Sequence, residues 1–424
     1  MITFIYSKYI EHFKISTDTR NITPNSIFFA LKGANFNANQ FAIQALEKGA
    51  AYAIVDEKKY KINDKIILVD NTLTTLQELA KFHRKKLDIK IIALTGSNGK
   101  TTTKELINAV LSKKYNTTAT LGNLNNHIGV PLTLLSMTNK TEIGIVEMGA
   151  NHPKEIEFLC NIIKPNYGYI TNFGKAHLEG FGSIDGVIKA KTELYQYLKT
   201  NKQAAFINLN DPIQINKSKD IKTISFGTKQ SEIPIEYVSA DPNVNLIFDD
   251  TKIKSNLIGD YNYNNIAAAI AIGKYFKINN ELIKNAIEAY NPTNNRSQII
   301  NIDNKKIILD AYNANPSSMI SALNNMIQLK AKNKIIILGD MFELGNYAKA
   351  EHQKITDFVS KQQFSKIYLI GNNFSQTKSS QTNMVFFNDY SNFKIKFKTT
   401  DFNNSTILIK GSRGMALERI VNLF

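Results

Sequence analysis

Residues 93–106 read ALTGSNGKTTTKEL and follow directly on the apolar run IKII. A strand that leads into a glycine-bearing turn and then a helix aims several backbone N–H groups at an anion. The positive end of the helix dipole points the same way. Thr95, Gly96, Ser97, Asn98 and Gly99 supply the turn, and Lys100 adds a mobile positive charge. The Thr101 hydroxyl can reach a phosphate-bound Mg2+, with Thr102 beside it. Phosphate binding is the chemistry expected here. The common spacing G-x-x-x-x-G-K-[ST] asks for glycine at position 94, where this chain has Leu94, and that argues against the motor and GTPase families.

Three more stretches hold side chains that could do chemistry. In EIGIVEMGANHP (142–153) an apolar run ends at Glu147, a position where many nucleotide enzymes hold Mg2+ with an acid. In ITNFGKAHLEGFG (170–182) His177 stands just past another apolar run. Ligands and catalytic groups collect at the carboxyl ends of strands in doubly wound sheets. Both residues are therefore candidates, although a lone histidine here is as readily structural as liganding. His152 precedes Pro153 and is the weaker candidate. GNLNNHIGVPLTLL (122–135) sets Asn123, Asn125 and Asn126 between two glycines. It is either an asparagine-rich turn or a loop that hydrogen-bonds a polar ligand beside the phosphate site.

The elements that must position these residues fall into three segments, 1–88, 89–293 and 294–424. In the first, SIFFALKG (26–33), AYAIVD (51–56) and IILVD (66–70) read as strands. QFAIQALEKGA (40–50) reads as an amphipathic helix ending near Gly49, and a second helix is expected over 72–86. The middle segment alternates strands at 89–95, 142–148, 167–172 and 203–210 with helices, one of which carries Leu106, Ile107, Val110 and Leu111 on one face. Such alternation implies a mainly parallel sheet covered by helices. Residues 221–258 read as short strands in an antiparallel extension, and 262–276 returns to helix. After the turn-rich NPTNNRS (291–297), the last segment shows strands at 305–310, 334–340, 366–371 and 405–411. Asn315-Pro316 begins a helix with Met319, Ile320, Leu323, Met326 and Ile327 on one face, since proline suits the first helical position. The fold class is α/β.

Bulk properties narrow the function further. The 424 residues suggest two or three domains, and 43% hydrophobic with 21% charged residues describes a globular chain. The net charge of +16 invites a nucleic-acid partner. However, the lysines are spread along the chain and no arginine-rich tract appears, so no nucleic acid is expected and polyanionic small molecules fit better. No stretch reaches the roughly 20 apolar residues that span a bilayer. Lys8, Glu11 and Lys14 interrupt any signal-peptide core, so a cytoplasmic protein without membrane insertion is expected. A single cysteine, Cys160, excludes an internal disulfide and a cysteine metal cluster.

Taken in order, TGSNGKTTTKE, GNLNNHIGVPLTLL, EMGANHPKEIE, NFGKAHLEGFGSIDGVIKAKTELY, DAYNANPSSM, LGDMFELG and KGSRGMALE resemble the Mur ligase family. The resemblance extends over nearly the whole chain, including DTRNITPNSIFFALKG at 18–33. DAYNANP and LGDMFELG favour the branch that adds D-alanyl-D-alanine over the branches that add diaminopimelate or lysine. The resemblance implies three domains: a small α/β UDP-sugar domain (1–88), a central P-loop ATPase domain with a mainly parallel sheet (89–293), and a C-terminal Rossmann-like domain (294–424). It implies an ATP-dependent ligation in which the terminal carboxylate of UDP-N-acetylmuramoyl-tripeptide becomes an acyl phosphate and the amine of D-alanyl-D-alanine attacks it.

Residue roles follow from the same resemblance. Lys100 would bind the β- and γ-phosphates, Thr101 and Glu147 would hold one Mg2+, and His177 would help hold a second. Lys191 matches a lysine carried as a carbamate, whereas Lys189 would point to another side of the helix. Asn262 and Asn265 match asparagines that contact nucleotide, with Tyr261 in place of the family's histidine. Arg296 matches an arginine that reaches ATP phosphates, with Asn295 in place of a glycine, and Asp310 resembles an acid that contacts ribose. Asn313 and Asn315 are candidates for D-alanyl-D-alanine, and Asn123, Asn125 and Asn126 for the muramoyl substrate. Asp18, Thr19, Arg20 and Lys32 are expected to serve the UDP sugar, although NFNANQF departs from the family's D-G-H-D-F. A monomer is expected. The rivals are a Mur ligase adding diaminopimelate or lysine, a folylpolyglutamate synthetase, and a P-loop ATPase bound to nucleic acid. A folate enzyme would lack the segment 1–88, and the nucleic-acid reading leaves Glu147, His177 and Lys191 unexplained.

Overall fold

Runs rich in Ile, Val and Phe pair into five sheets in the computed structural model, which describes residues 1–424. The first is parallel, in the order Ile15–Ser16, Ile27–Phe29, Tyr52–Val55, Ile66–Leu68. Helix Thr72–Lys86 follows at the expected bounds, because the Asn71 side chain accepts from Thr74 N at 2.8 Å and caps its start. Helix Ile2–Tyr9 was not anticipated, since its cap residue Met1 offers no side-chain acceptor to mark a start. This helix ties the first segment to the second. The buried Tyr9 hydroxyl donates to Leu135 O at 2.5 Å, and the His83 ring lies 2.9 Å from Met137 O. Burial lowers the His83 pKa, so the imidazole stays neutral in this seam.

The middle segment builds a seven-stranded parallel sheet. Its order is Ile233–Pro234, Lys222–Gly227, Ala204–Asn208, Tyr167–Ile170, Lys90–Thr95, Ile143–Glu147, Thr117–Ala119. The antiparallel reading of 221–258 holds only for its second half. Lys222–Gly227 and Ile233–Pro234 continue the parallel sheet, and Glu236–Ala240, Asn243–Phe248 and Thr251–Ile258 form a separate antiparallel meander. Short length and mixed polarity hid the parallel pairing, which joins Ala204–Asn208 across helix Pro212–Lys217 rather than through a hairpin turn. Helix Asn262–Tyr275 is buried throughout Ile266–Gly273 and packs on helix Lys100–Leu111. Small side chains make the approach close: a Cβ on Gly273 would meet Val110 Cγ1 at 2.6 Å.

The last segment is a six-stranded sheet in the order Gln298–Ile302, Lys305–Asp310, Thr406–Lys410, Lys334–Gly339, Lys366–Ile370, Met384–Phe387. All neighbours are parallel except the first pair. Gln298–Ile302 escaped the sequence reading because it is an edge strand with no fully buried side chain. Helix Pro316–Gln328 begins as expected, with Asn315 and Ser318 forming a reciprocal capping box. Met319, Leu323 and Met326 are buried, and Ile320 and Ile327 flank them against the core.

Candidate active site

The carboxyl end of strand Lys90–Thr95 opens into a cavity of about 870 Å³, walled by the middle and last segments. Leu94 is still inside the strand and fully buried, so the chain cannot turn there. The turn starts two residues later at Gly96, whose φ of +143° and contact with Thr171 leave no room for a side chain. Gly99 adopts φ +77° against Asn265, and helix Lys100–Leu111 begins. The loop is stiffened from behind. Ser97 Oγ donates to Gly174 O and Asn98 N donates to Asn172 Oδ1. Lys100 Nζ folds back onto Gly96 O at 2.8 Å, and burial lowers its pKa although Glu147 pulls the other way. Thr101 and Thr102 sit under the loop, nearly buried.

Glu147 ends the neighbouring strand and is 1% exposed. Its Oε1 accepts from Asn125 Nδ2 at 2.8 Å, and its Oε2 is buried with no partner, as is the Thr95 hydroxyl. Asn123, Asn125 and Asn126 all line the cavity. Asn126, however, spends its Oδ1 on the N–H groups of Ile128 and Gly129, so it shapes the loop. The buried Lys104 holds this loop's approach by donating to Thr120 O at 2.7 Å. His177 has φ +52°, and its Nδ1 lies 2.6 Å from Glu343 Oε2 of the last segment. That contact holds the Glu343 carboxyl below the usual range. His152 is exposed.

Lys191 lies directly behind the cavity wall. It is 0% exposed, its Nζ reaches Ala150 O at 3.2 Å, and no carboxylate pairs with it. Burial therefore pushes its pKa well below the ordinary lysine value. Lys189 is exposed, on another side of the helix, as expected.

The nucleotide candidates are partly occupied by the protein itself. Asn265 accepts from Thr103 and donates to Asn262, and Asn262 donates to Ile258 O, so both buttress the loop while lining the cavity. Tyr261 hydrogen-bonds Ser297 at 2.8 Å. Arg296 stacks on Tyr312 with its Cζ 3.6 Å from the ring centre, and its buried Nε has no partner. Asp310 is clamped by Lys410 at 2.6 Å.

The two asparagines read as candidates for the dipeptide separate. Asn313 is exposed on the wall, whereas Asn315 is buried and spends both side-chain groups. Its Oδ1 caps the helix and its Nδ2 donates to Asn98 Oδ1 at 2.7 Å. Asn315 thus lines the cavity and also fastens the last segment to the phosphate loop. Asp18, Thr19, Arg20 and Lys32 are absent from the cavity lining. Asp18 and Arg20 pair with each other at 2.6 Å, and Lys32 pairs with Asp56 and Glu57.

The donor set suits magnesium. No three His, Cys, Asp or Glu side chains converge on one point. A magnesium ion does not need them, because it is held by one or two protein groups together with phosphate oxygens and water. The orphan Oε2 of Glu147, close to the phosphate loop, is the oxygen such an ion would take.

Comparison with known proteins decides the family. Residues 94–273 match the Mur ligase middle domain, and residues 295–413 match the domain described as Mur ligase, glutamate ligase domain. The chain is 34% identical to the UDP-N-acetylmuramoyl-tripeptide–D-alanyl-D-alanine ligase of Bacillus subtilis, covering 96% of this chain and 92% of that one. The chain belongs to the Mur ligase family. Among solved structures of the family, MurF from Acinetobacter baumannii superposes with a TM-score of 0.85 at 30% identity, over 96% of this chain and 92% of that one. MurF from Thermotoga maritima, solved in complex with ADP, superposes with a TM-score of 0.83 over 97% and 96% of the chains, and at 24% identity it speaks for the fold alone.

Four cavity residues of this Mur ligase were not singled out from the sequence: Tyr312, Glu343, Lys410 and Arg413. Each lies within a motif that marks the family, yet spacing alone gave them no role. Their partners are up to 166 positions away, as with Glu343 and His177.

Proposed function

We propose that this chain is an ATP-dependent ligase joining D-alanyl-D-alanine to UDP-N-acetylmuramoyl-tripeptide. The products are UDP-N-acetylmuramoyl-pentapeptide for peptidoglycan synthesis, ADP and phosphate. The observation that carries this is end-to-end similarity to a ligase of that name, 34% identical over 96% of the chain. The cavity supports it, since it gathers a phosphate loop, a buried carboxylate with one oxygen free of protein partners and a wall from the last segment.

Phosphoryl transfer to a carboxylate brings two anions together, so positioning and positive charge matter more than covalent help. The loop N–H groups of 96–101 and Lys100 hold the phosphates, and the unpaired donors of Arg296 reach them from the linker. The tripeptide carboxylate oxygen attacks the γ-phosphorus and ADP leaves. The dipeptide amine then attacks the acyl carbon, the proton passes to solvent, and phosphate departs from the tetrahedral species. Glu147 and Thr101 would hold one Mg2+, and His177 and Lys191 a second. The ions supply charge neutralisation between the phosphates and the carboxylate. Asn123 and Asn125 contact the muramoyl substrate, Asn313 the dipeptide, and Asp18, Thr19, Arg20 and Lys32 the UDP end.

Lys191 acts as a carbamate. Its burial supports this reading, because the neutral amine that burial favours is the form that adds carbon dioxide. The product is an anionic oxygen ligand where a cation would be useless. The domains are 1–88, 89–293 and 294–424, a division supported by the separate sheets of the three segments. A monomer acting in the cytoplasm completes the reading, the location being supported by the two nucleotide substrates. No helix is long and apolar enough to cross a membrane. Purified protein is expected to release phosphate from ATP only when both UDP-N-acetylmuramoyl-tripeptide and D-alanyl-D-alanine are present. Turnover indifferent to the dipeptide but stimulated by DNA or by a free amino acid would overturn the reading.

A further inference from the structure

The incoming dipeptide carries a charged group at each end, and the ligase reading on which this inference rests uses only one of them. Its amine must approach the activated carboxylate, which leaves a terminal carboxylate inside a largely polar cavity. A carboxylate taken from water needs a cation and directed donors. Four cations line the cavity apart from His residues: Lys100, Arg296, Lys410 and Arg413. Lys100 is buried at the phosphate loop and folded onto Gly96 O. Arg296 lies close enough to Lys100 to lower its pKa, so it faces the phosphates too. Lys410 is 2% exposed and neutralised by Asp310 at 2.6 Å. Arg413 remains.

Arg413 follows the central strand Thr406–Lys410 of the last sheet. Its side chain is 60% exposed and only Nη1 is engaged, to Glu418 Oε1 at 3.0 Å, which leaves Nε and Nη2 without protein acceptors. The loop that carries it is fixed. Ser412 N donates to Asp340 O, and Ser412 Oγ accepts from Phe342 N at 2.8 Å. Gly414 packs on Phe342 so closely that a Cβ there would come within 2.7 Å of its ring, and the next residue, Glu343, grips His177 at 2.6 Å. Arg413 is thus a few side chains along one wall from the metal-site histidine. An extended dipeptide spans about 7 Å between its ends, and Arg413 and His177 line the same cavity.

We propose that Arg413 binds the terminal carboxylate of D-alanyl-D-alanine through its open guanidinium edge and so sets the enzyme's preference for a dipeptide with a free acid end. The test is to compare D-alanyl-D-alanine with its C-terminal amide as acceptor in the full-length enzyme. The wild type should favour the acid by roughly 10- to 100-fold in kcat/KM, the size of one charge-assisted contact. Arg413→Ala should bring that ratio to about one while leaving KM for ATP and for UDP-N-acetylmuramoyl-tripeptide unchanged, and Arg413→Lys should keep part of the preference. An Arg413→Ala enzyme that retains the wild-type ratio, or loses both acceptors equally, overturns the assignment. A wild type that joins neither acceptor overturns the ligase reading itself, and this assignment with it.

Discussion

Lys191 shows how far a single side chain can be read. In sequence it is one of 52 basic residues, and only the family resemblance separates it from Lys189. In the structure it is fully buried with one carbonyl partner, a state an ordinary ammonium pays for heavily. Lys191→Ala should abolish ligase activity, and a short carboxylic acid supplied in solution should restore part of it by occupying the space of the carbamate. Full activity in Lys191→Ala would remove the carbamate role. The loop glycines and Glu147 were legible because a local turn and a strand end leave a local signature. The Glu343 partner of His177 was not, because that pair forms only when two segments far apart in sequence close on each other.

At the scale of elements, strands and helices were read well wherever periodicity was strong. Helix Thr72–Lys86 and strand Lys305–Asp310 match residue for residue. Among the misreadings, Ile2–Tyr9 lacks a cap signal, Lys222–Gly227 pairs in parallel across a helix, and Gln298–Ile302 is an edge strand with no fully buried side chain. Asn315 carries two roles on one helix start, and they can be separated. Asn315→Asp keeps the capping oxygen but loses the donor to Asn98. It should melt close to the wild type yet raise KM for ATP several-fold, because the loop loses its clamp. Asn315→Ala loses both, and thermal unfolding should show a further destabilisation of about 1 kcal/mol. Equal KM values for wild type and Asn315→Asp would show that the clamp does not matter.

Over the whole molecule, the chemistry depends on the last segment closing over the phosphate loop. Lys175 N donates to Ser317 Oγ at 2.8 Å, Tyr347 donates to Gly182 O at 2.8 Å, and Lys175 pairs with Glu351 at 3.1 Å. Burial alone would raise the Glu351 pKa, yet Lys354 and Lys175 hold the carboxyl below the usual glutamate range. A depressed carboxyl contributes stability above its unfolded-state pKa and loses it as pH falls through the folded one. The melting difference between wild type and Glu351→Gln should therefore be present at neutral pH and disappear in acid below about pH 4. A difference that grew on acidification would contradict that assignment. The central claim, that ATP activates the tripeptide as an acyl phosphate in this cavity, has a direct test. UDP-N-acetylmuramoyl-tripeptide is labelled with heavy oxygen in its terminal carboxylate and turned over with ATP and D-alanyl-D-alanine, and the released phosphate is examined by phosphorus NMR. One labelled oxygen is expected in each phosphate. Phosphate free of the label would contradict it.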